Sequence, residues 1–308
     1  MTAKSEYALG VLYLLLTALC WGFVAPTVKR LTQEVDSYTI SFFRVFLAAA
    51  VFALLLWRQG WRRIPWLLPW VIAGAVGRSG NYLLYNAGLA RMPSNAATIL
   101  APVQALGTVF LARRLLSEQV RGKWSGIALS VGGLLLIWWS GQGWRALVEP
   151  RYMVGNTLLV LSGLASALQF TSQKALSVRF SAGQILLPVF LLSTGITAPF
   201  ALIAGDLGRA YSPLAWVLLL ILGIVLTGGS FYLLGEGYKR CDASTAVVIT
   251  NTSSFLTLLW SRLLLREHVS AAMVVGAVLS VTGTVLVVNA ERNAKGFATR
   301  QTKAGTGA

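Results

Sequence analysis

The chain consists of long apolar runs separated by short stretches of charged or turn-forming residues. About 20 consecutive apolar residues allow a helix to cross the hydrocarbon core of a bilayer. We therefore expect an all-α integral membrane protein. The pattern predicts ten transmembrane helices, called spans 1 to 10 from here on, at 9–28, 38–57, 66–90, 94–116, 124–140, 154–173, 182–204, 214–238, 243–265 and 271–289.

Composition requires much of this apolar surface to face lipid. The 308 residues are 56% hydrophobic and 12% charged, whereas soluble domains carry about 45–50% apolar and about 25% charged residues. The lipid bilayer is thus a predicted partner of the chain. No clear cleavage site follows the first apolar run, so we interpret that run as span 1 and not as a signal peptide.

The net charge of +16 is explained by basic loops. Lys and Arg occur in short clusters between apolar runs, such as Arg58, Arg62 and Arg63, which argues against a nucleic-acid partner. If the N-terminus is cytoplasmic, the inner segments hold twice as many Lys and Arg residues as the outer ones. The positive-inside rule therefore predicts that both termini are cytoplasmic.

One segment of the chain occurs twice. Residues 91–120 and 240–269 agree at eight of thirty positions without a gap, at an offset of 149 residues. The match extends into the preceding spans, where Gly80 and Gly88 correspond to Gly229 and Gly237. This predicts two units of five spans, at 9–140 and 154–290. The remainder is an N-terminal segment 1–8, a linker 141–153 and a tail 291–308 expected to be disordered.

An odd number of spans per unit places the second unit in the membrane in the opposite orientation. Inverted repeats with a substrate site near the midplane are typical of secondary transporters, and they favour transport by alternating access. An integral-membrane enzyme is the weaker alternative. The sequence has no Gly-x-Ser-x-Gly motif, no Walker motif and no His/Asp cluster to supply grouped catalytic residues.

The residues of both units resemble a known family. The segment 17–30 (TALCWGFVAPTVKR) and the glutamates Glu118 and Glu267, each followed by a glycine-rich span, resemble the EamA-type branch of the drug/metabolite transporter superfamily. Within that branch the chain resembles aromatic amino acid exporters of the YddG type. The resemblance implies a ten-helix bundle in a bacterial inner membrane that exports small metabolites, commonly amino acids, from the cytoplasm.

Span 3 carries the strongest candidate for a substrate site. Arg78, Tyr82 and Tyr85 follow the spacing of one helix face, and Asn81 is adjacent. A charge at mid-membrane is costly and usually faces the bundle interior or a wet cavity. We interpret Arg78 as a carboxylate ligand flanked by the two tyrosine rings. The alternative is that Arg78 ties helix ends together while the tyrosines pack.

Spans 4 and 9 carry matching irregularities. Asn251 lies in a run of five polar residues that includes Ser254, and its counterpart in span 4 is Pro102. Paired irregularities in two repeats mark transporter binding sites, so these three residues and the nearby Gln104 are candidate ligands. Ser and Thr in such a run can instead bond their own helix carbonyls.

Three further residues are candidates in other spans. They are Trp21 in span 1, Gln169 in span 6 and Ser230 in span 8. A mid-span Trp more often packs than binds. Arg44 in span 2 is interpreted as structural, because it lies close enough to the outer end to extend toward the interface.

No cofactor or metal is expected. The chain has two cysteines and a single histidine, His268, in a predicted loop, which gives no metal-ligand cluster. None of the ten acidic residues falls at mid-span, so uncoupled export is as well supported as proton antiport. Drugs and nucleotide sugars remain alternative cargoes for this fold. The glycine-rich spans 5 and 10 are expected to pack within one chain, which favours a monomer.

Overall fold

The computed structural model describes residues 3–59, 66, 68–143 and 149–305. Over these residues the chain forms ten helical segments, which keep their span numbers. They are Ala3–Gly22 with Val24–Leu31 (span 1), Ser37–Gln59 (2), Pro69–Arg91 (3), Ser94–Ile99 with Leu100–Leu115 (4), Trp124–Gln142 (5), Pro150–Ser177 (6), Ala182–Ile203 (7), Pro213–Leu220, Ile221–Gly229 and Ser230–Tyr238 (8), Ala243–Thr250 with Ser253–Leu265 (9), and Ala271–Gly305 (10).

The expected all-helical membrane architecture is confirmed. Eight of these segments are long and apolar enough to cross a membrane, and strands are absent from the described part of the chain. Spans 3 and 9 do not meet that criterion. Span 3 is too polar, because it contains Arg78 and, in its second half, Asn81, Asn86 and Arg91. Span 9 is interrupted after Thr250.

The largest difference from the predicted boundaries is at the C-terminus. Span 10 continues as helix to Gly305, across most of the segment expected to be disordered from residue 291. The first residue of this extension is anchored, because the Glu291 side chain is only 1% exposed and accepts a hydrogen bond from Lys123 at 3.2 Å. Residues 1–2, the basic loop around Arg62 and Arg63, 144–148 of the predicted linker, and 306–308 lie outside the described residues.

Four spans are interrupted. Span 1 breaks at Phe23, span 4 begins as the 3-10 segment Ser94–Ile99, span 8 contains the π-helical segment Ile221–Gly229, and span 9 breaks after Thr250. Irregular backbone at membrane depth is tolerated where it is buried in protein or lines a cavity. These four interruptions therefore direct attention to the space that spans 1, 4, 8 and 9 enclose.

Matching residues of the two halves make matching contacts. The Lys29 ammonium donates to the carbonyl of Met92 at 2.6 Å, just beyond the end of span 3. Lys174, 145 residues later, donates to the carbonyl of Cys241 at 2.7 Å, just beyond the end of span 8. Each lysine satisfies carbonyls that a helix C-terminus leaves without partners.

The two glutamates of the repeated segment also have equivalent roles. Glu118, after span 4, accepts hydrogen bonds from the backbone N–H groups of Ala243 and Ser244 at the start of span 9, at 2.7 and 3.2 Å. Glu267, after span 9, accepts from the N–H of Ser94 at the start of span 4, at 2.9 Å. Each carboxylate thus caps the first turn of the matching helix in the other half.

Both termini reach the same end of the bundle, called the terminal end below. The Tyr7 hydroxyl donates to the carbonyl of Val288 at 3.0 Å, and Glu6 forms an ion pair with Arg240 at 2.9 Å. The other end carries the loops that follow spans 1, 3, 7 and 9. It is called the opposite end.

Candidate substrate site

A cavity of about 100 Å³ lies in the middle of the bundle. It is lined by seven spans, which include the four interrupted ones. The lining consists of Trp21, Val24, Arg44, Asn81, Tyr82, Tyr85, Ala97, Thr98, Leu100, Gln104, Ser166, Gln169, Phe170, Phe231, Asn251, Ser253, Ser254 and Thr257. This mixture of aromatic walls and a few convergent polar groups is typical of a small-molecule site.

The structure brings together most of the side chains selected from the sequence. Eight of the eleven predicted residues line the cavity: Trp21, Asn81, Tyr82, Tyr85, Gln104, Gln169, Asn251 and Ser254. Arg78, Pro102 and Ser230 do not line it. The helix-face spacing in span 3 therefore located the cavity through its tyrosines.

Arg78 lies behind the cavity wall, which differs from its expected position among the lining residues. Its side chain is completely buried, with the guanidinium carbon 4.0 Å from the ring centre of Phe190 and 3.9 Å from that of Phe231. One terminal nitrogen lies 3.4 Å from the Tyr82 hydroxyl. Arg78 is one helical turn from Tyr82, on the side toward the terminal end, so the ring of Tyr82 separates it from the cavity.

Ser230 acts on the cavity through Trp21. The indole N–H of Trp21 donates to Ser230 Oγ at 2.8 Å, while Ser230 donates to the carbonyl of Leu226 at 2.7 Å. The Trp21 ring stacks on Phe170, with ring centres 5.4 Å apart. This hydrogen bond fixes the orientation of a ring that forms one wall of the cavity.

Pro102 contributes to the shape of span 4 and not to the lining. The α-helical part of span 4 begins at Leu100, so Pro102 lies in its first turn, where a missing N–H costs no intrahelical hydrogen bond. The irregularity of span 4 that the sequence assigned to Pro102 therefore lies before it, at the junction with the 3-10 segment. The matching break in span 9 falls at Asn251 and Thr252.

Arg44 is the basic residue that faces the cavity, which corrects its interpretation as an interfacial side chain. It is 5% exposed, and its guanidinium carbon lies 4.0 Å from the ring centre of Tyr82. Its Nε donates to Thr227 Oγ1 in the π-helical segment at 3.0 Å, and this is its one hydrogen bond within the described part of the chain. The terminal nitrogens of Arg44 are therefore available to a ligand.

Four polar groups form a hydrogen-bonded chain across one side of the cavity. Ser166 Oγ donates to Gln104 Oε1 at 2.6 Å, Gln104 Nε2 donates to Asn251 Oδ1 at 3.3 Å, and Asn251 Nδ2 donates to the carbonyl of Ala101 at 3.0 Å. The chain joins spans 6, 4 and 9. It fixes the amide orientations of Gln104 and Asn251 on the cavity wall.

The side-chain amides of Asn81 and Gln169 differ in whether they have hydrogen-bond partners in the protein. Asn81 Nδ2 donates to Ser162 Oγ at 2.8 Å, which ties span 3 to span 6. Among the residues that the structure describes, neither the nitrogen nor the oxygen of the buried Gln169 amide has a hydrogen-bond partner. A buried amide without partners is unusual in a native structure, so Gln169 is a strong candidate for contact with a ligand or with water.

The lining contains one positive charge and no negative one. Arg44 is its single basic residue, and none of the acidic residues of the chain, all of which are described, is among the lining residues. No group of three His, Cys, Asp or Glu residues suited to a metal ion occurs in the described ranges. The site is therefore chemically suited to an anionic group attached to an aromatic or apolar body.

Several lining residues gave no signal in the sequence. Phe170, Phe231 and Val24 look like any other apolar residue of a span, and only the packing of spans 1, 6 and 8 assigns them to the cavity. Ser253 and Thr257 were detectable as part of the polar character of span 9. Ser166 was detectable as the residue of span 6 that matches Trp21 at the offset of 145.

Comparison with known proteins gives the family. The model of the EamA-like transporter family matches residues 8–139 and 153–289, once in each half. The chain is 25% identical over 305 residues to an uncharacterized inner membrane transporter, YhbE, of Escherichia coli (strain K12), with 92% of each chain covered. It is 26% identical over 245 residues to a biotin transporter of Salmonella typhimurium, covering 77% of this chain and 79% of that one.

A solved structure shares the fold. A crystal structure with 18% sequence identity matches with a TM-score of 0.76, over 92% of this chain and 98% of the other. At this identity the likeness concerns the fold alone. The matched segments of the family model cover most of the sequence, and the chain therefore belongs to the EamA-like transporter family of the drug/metabolite transporter superfamily, as a multi-pass membrane transporter.

Proposed function

We propose that this transporter exports amino acids, aromatic or otherwise neutral, and related small metabolites from the cytoplasm across the bacterial inner membrane. The observation that carries the proposal is the central cavity. Arg44 offers free guanidinium nitrogens to a carboxylate, and the rings of Tyr82, Tyr85 and Trp21 surround the space for a side chain. Planar guanidinium groups bind carboxylates through two parallel hydrogen bonds.

Alternating access between two inverted repeats is the proposed mechanism. It is supported by the exchanged contacts of the two halves, in which Glu118 and Glu267 each cap the matching helix of the other half. Two similar units with mutually equivalent contacts can exchange conformations at small energetic cost, which moves access from one face to the other. We propose that the terminal end is cytoplasmic, in accord with the distribution of Lys and Arg.

We propose that export is not coupled to the movement of a proton or another ion. Proton-coupled transporters usually place an acidic residue or histidine inside the membrane. Here the acidic residues Glu236 and Glu291 lie near the terminal end of their spans and are already paired, Glu236 with Lys239 at 2.5 Å and Glu291 with Lys123 at 3.2 Å. Proton antiport is the alternative that the transport experiment distinguishes.

A second candidate cargo is a carboxylate without an ammonium group. No acidic side chain lines the cavity to pair with the ammonium of an amino acid. One of the relatives is named a biotin transporter, and biotin is a carboxylate with a neutral body. This candidate uses the same arginine and the same aromatic walls.

The decisive measurement is transport into proteoliposomes. We expect radiolabelled phenylalanine, leucine or another neutral amino acid to enter vesicles that contain the protein and not empty vesicles, at equal rates with and without a pH gradient. A rate that rises with the gradient would support antiport. Transport of biotin but of no amino acid would favour the second cargo, and transport of no carboxylate at all would refute the proposal.

A further inference from the structure

A second cavity, closed in this structure to less than the size of a water molecule, lies between the substrate cavity and the terminal end. It is lined by spans 3, 6 and 7, with Gly74 and Arg78 from span 3 and Gln169 and Gln173 from span 6. Span 3 runs antiparallel to span 6, since a Cβ on Gly77 would meet the carbonyl of Ala165 and a Cβ on Gly88 would meet Leu159. Gln169 lines both cavities, so they follow one another along the bundle.

Polar atoms without partners are concentrated at this second cavity. Arg78 Nε, both polar atoms of the Gln169 amide and Gln173 Oε1 are buried and have no hydrogen-bond partner. Buried polar groups in native proteins are almost always paired with protein, water or ligand. Four such atoms from three neighbouring side chains therefore indicate a place that widens to take a polar guest in another state of the working cycle.

Aromatic side chains form the partition between the two cavities. The Tyr82 ring lies 4.0 Å below the guanidinium of Arg44, and its hydroxyl lies 3.4 Å from Arg78. The Arg78 guanidinium is in turn held between the rings of Phe190 and Phe231. The two arginines therefore contact different parts of Tyr82, since Arg44 lies over the ring and Arg78 lies at the hydroxyl.

We propose that Arg44 and Arg78 are two successive binding sites for one carboxylate, separated by Tyr82 and Phe231. Arg44 holds the anion in the cavity seen here. Arg78 receives it, with the amides of Gln169 and Gln173, in the state that opens toward the terminal end. This inference rests on the proposed function and refines it by naming the charged group of the cargo and the residues that bind it on each side.

A purely structural role explains Arg78 less well. A structural cation in a membrane bundle is normally paired with a carboxylate or with backbone carbonyls, and Arg78 has neither within the described residues. Stacking between two rings stabilises a guanidinium without using its hydrogen-bond donors. Apart from the terminal nitrogen that donates to the Tyr82 hydroxyl, the donors thus stay available for an anion once the rings move apart.

The test separates equilibrium binding from transport. Binding of radiolabelled phenylalanine and of 3-phenylpropanoate is measured on detergent-solubilised protein, with phenylalaninamide as the analogue that lacks the carboxylate. We expect Arg44→Gln to weaken carboxylate binding by about tenfold or more, the loss of one charge-assisted pair. We expect Arg78→Gln to bind within about threefold of wild type and to lose at least about tenfold in transport rate.

Arg91→Gln is the matched control, because Arg91 is an exposed arginine at the other end of the same span. It should bind and transport like wild type. If wild type binds neither carboxylate, the proposed function and both sites are overturned together. If wild type binds and Arg78→Gln transports normally, the second site alone is overturned.

A second variant covers the case in which Arg78→Gln does not fold. Gln173→Leu removes the unpartnered Oε1 of a residue that lines the second cavity and not the substrate cavity, and it keeps both arginines. The proposal expects a folded protein that binds phenylalanine like wild type and transports it more slowly. Normal transport by this variant would contradict the second site.

Discussion

At the scale of single residues, the amide pair Gln104 and Asn251 shows how the cavity is held open. Each amide has a hydrogen-bond partner in the protein. The Gln104 oxygen accepts from Ser166, and the Asn251 nitrogen donates to the carbonyl of Ala101. Their orientation is thereby fixed before a ligand arrives, which reduces the entropy cost of binding. The paired irregularities of spans 4 and 9 predicted Asn251, and Gln104 was selected because it lies near Pro102.

Replacing Gln104 tests the contribution of the hydrogen bonds that join Ser166, Gln104 and Asn251. Gln104→Leu should destabilise the protein by about 0.6 kcal/mol, the average for hydrogen bonds between membrane helices, and by at most about 1.7 kcal/mol, because Ser166 and Asn251 lose a shared partner. Thermal unfolding in detergent measures the change. Thr282→Val is the control, since Thr282 is exposed and donates to the carbonyl of Val278 in its own helix. An equal loss of stability in this control would show that the hydrogen bonds of Gln104 between spans add no stability.

Glu34 makes a loop contact that depends on pH. Its carboxylate accepts hydrogen bonds from the Ser212 backbone N–H and, at 2.7 Å, from the Ser212 hydroxyl. These bonds lower the pKa of Glu34 below its ordinary value. A lowered folded-state pKa means that the stabilisation is present above about pH 4.3, the ordinary Glu value, and is lost as the pH falls through the lower folded value.

We therefore expect wild type to lose slightly more thermal stability than Glu34→Gln on acidification below about pH 4.3. The effect is small, because the carboxylate is exposed to solvent. Melting temperatures of both proteins across a pH series give the comparison. Glu149→Gln, at an exposed position, should follow wild type; parallel curves for Glu34→Gln and wild type would contradict the assignment.

At the scale of elements, glycines decide how spans 5 and 10 approach each other. A Cβ on Gly133 would collide with the carbonyl of Gly276 and lie 2.6 Å from the backbone nitrogen of Ser280, whereas a Cβ on Gly132 would meet nothing within 4 Å. Gly126 approaches Gly283 in the same way. The expected packing of these spans within one chain is therefore seen directly, with Gly132 outside the contact.

The adjacent glycines give a matched pair of variants. Gly133→Ala should destabilise the protein by about 1–3 kcal/mol through overpacking. Gly132→Ala should be neutral or up to about 1 kcal/mol stabilising, because Ala is the better helix former. Thermal unfolding of both variants is the measurement, and equal behaviour would contradict the packing of span 5 on span 10.

The glutamate caps also belong to this scale. Glu118→Ala removes the acceptor of two backbone N–H groups at the start of span 9 and should cost about 0.5–2 kcal/mol, as the loss of other helix caps does. Gln119→Ala, at the exposed neighbouring position, should be close to neutral in the same unfolding assay. The sequence showed that Glu118 and Glu267 recur, but only the fold shows what they bind.

At the scale of the whole molecule, the two ends of the bundle are not equivalent. At the terminal end Lys123 is 4% exposed and pairs with Asp242 at 2.7 Å and Glu291 at 3.2 Å. Burial opposes its charge, yet the two carboxylates outweigh that effect and raise the pKa of Lys123. The positions matching Asp242 and Lys123 in the other half are Pro93 and Ala272, so the described residues at the opposite end form no matching cluster.

This asymmetry predicts that the ion cluster keeps the terminal end closed. Lys123→Met should accelerate maleimide labelling of Cys241, which is 1% exposed beside the cluster, in a Cys20→Ser background. Removing one partner of a buried pair leaves a carboxylate uncompensated, which also costs about 3–5 kcal/mol of stability. Arg209→Met, which breaks an exposed pair at the opposite end, should leave the labelling rate unchanged; faster labelling there too would contradict a local effect.

The sequence by itself determined the helical membrane architecture, the duplication and eight of the eighteen residues that line the cavity. Apolar runs and mid-span polar residues have few physical solutions in lipid, because every buried polar group must find an interior partner. Tertiary structure decided which arginine faces the cavity. Arg44 and Arg78 are both single charges within apolar spans, and only the π-helical segment of span 8 and the rings of Phe190 and Phe231, brought together by packing, place one in the cavity and the other behind its wall.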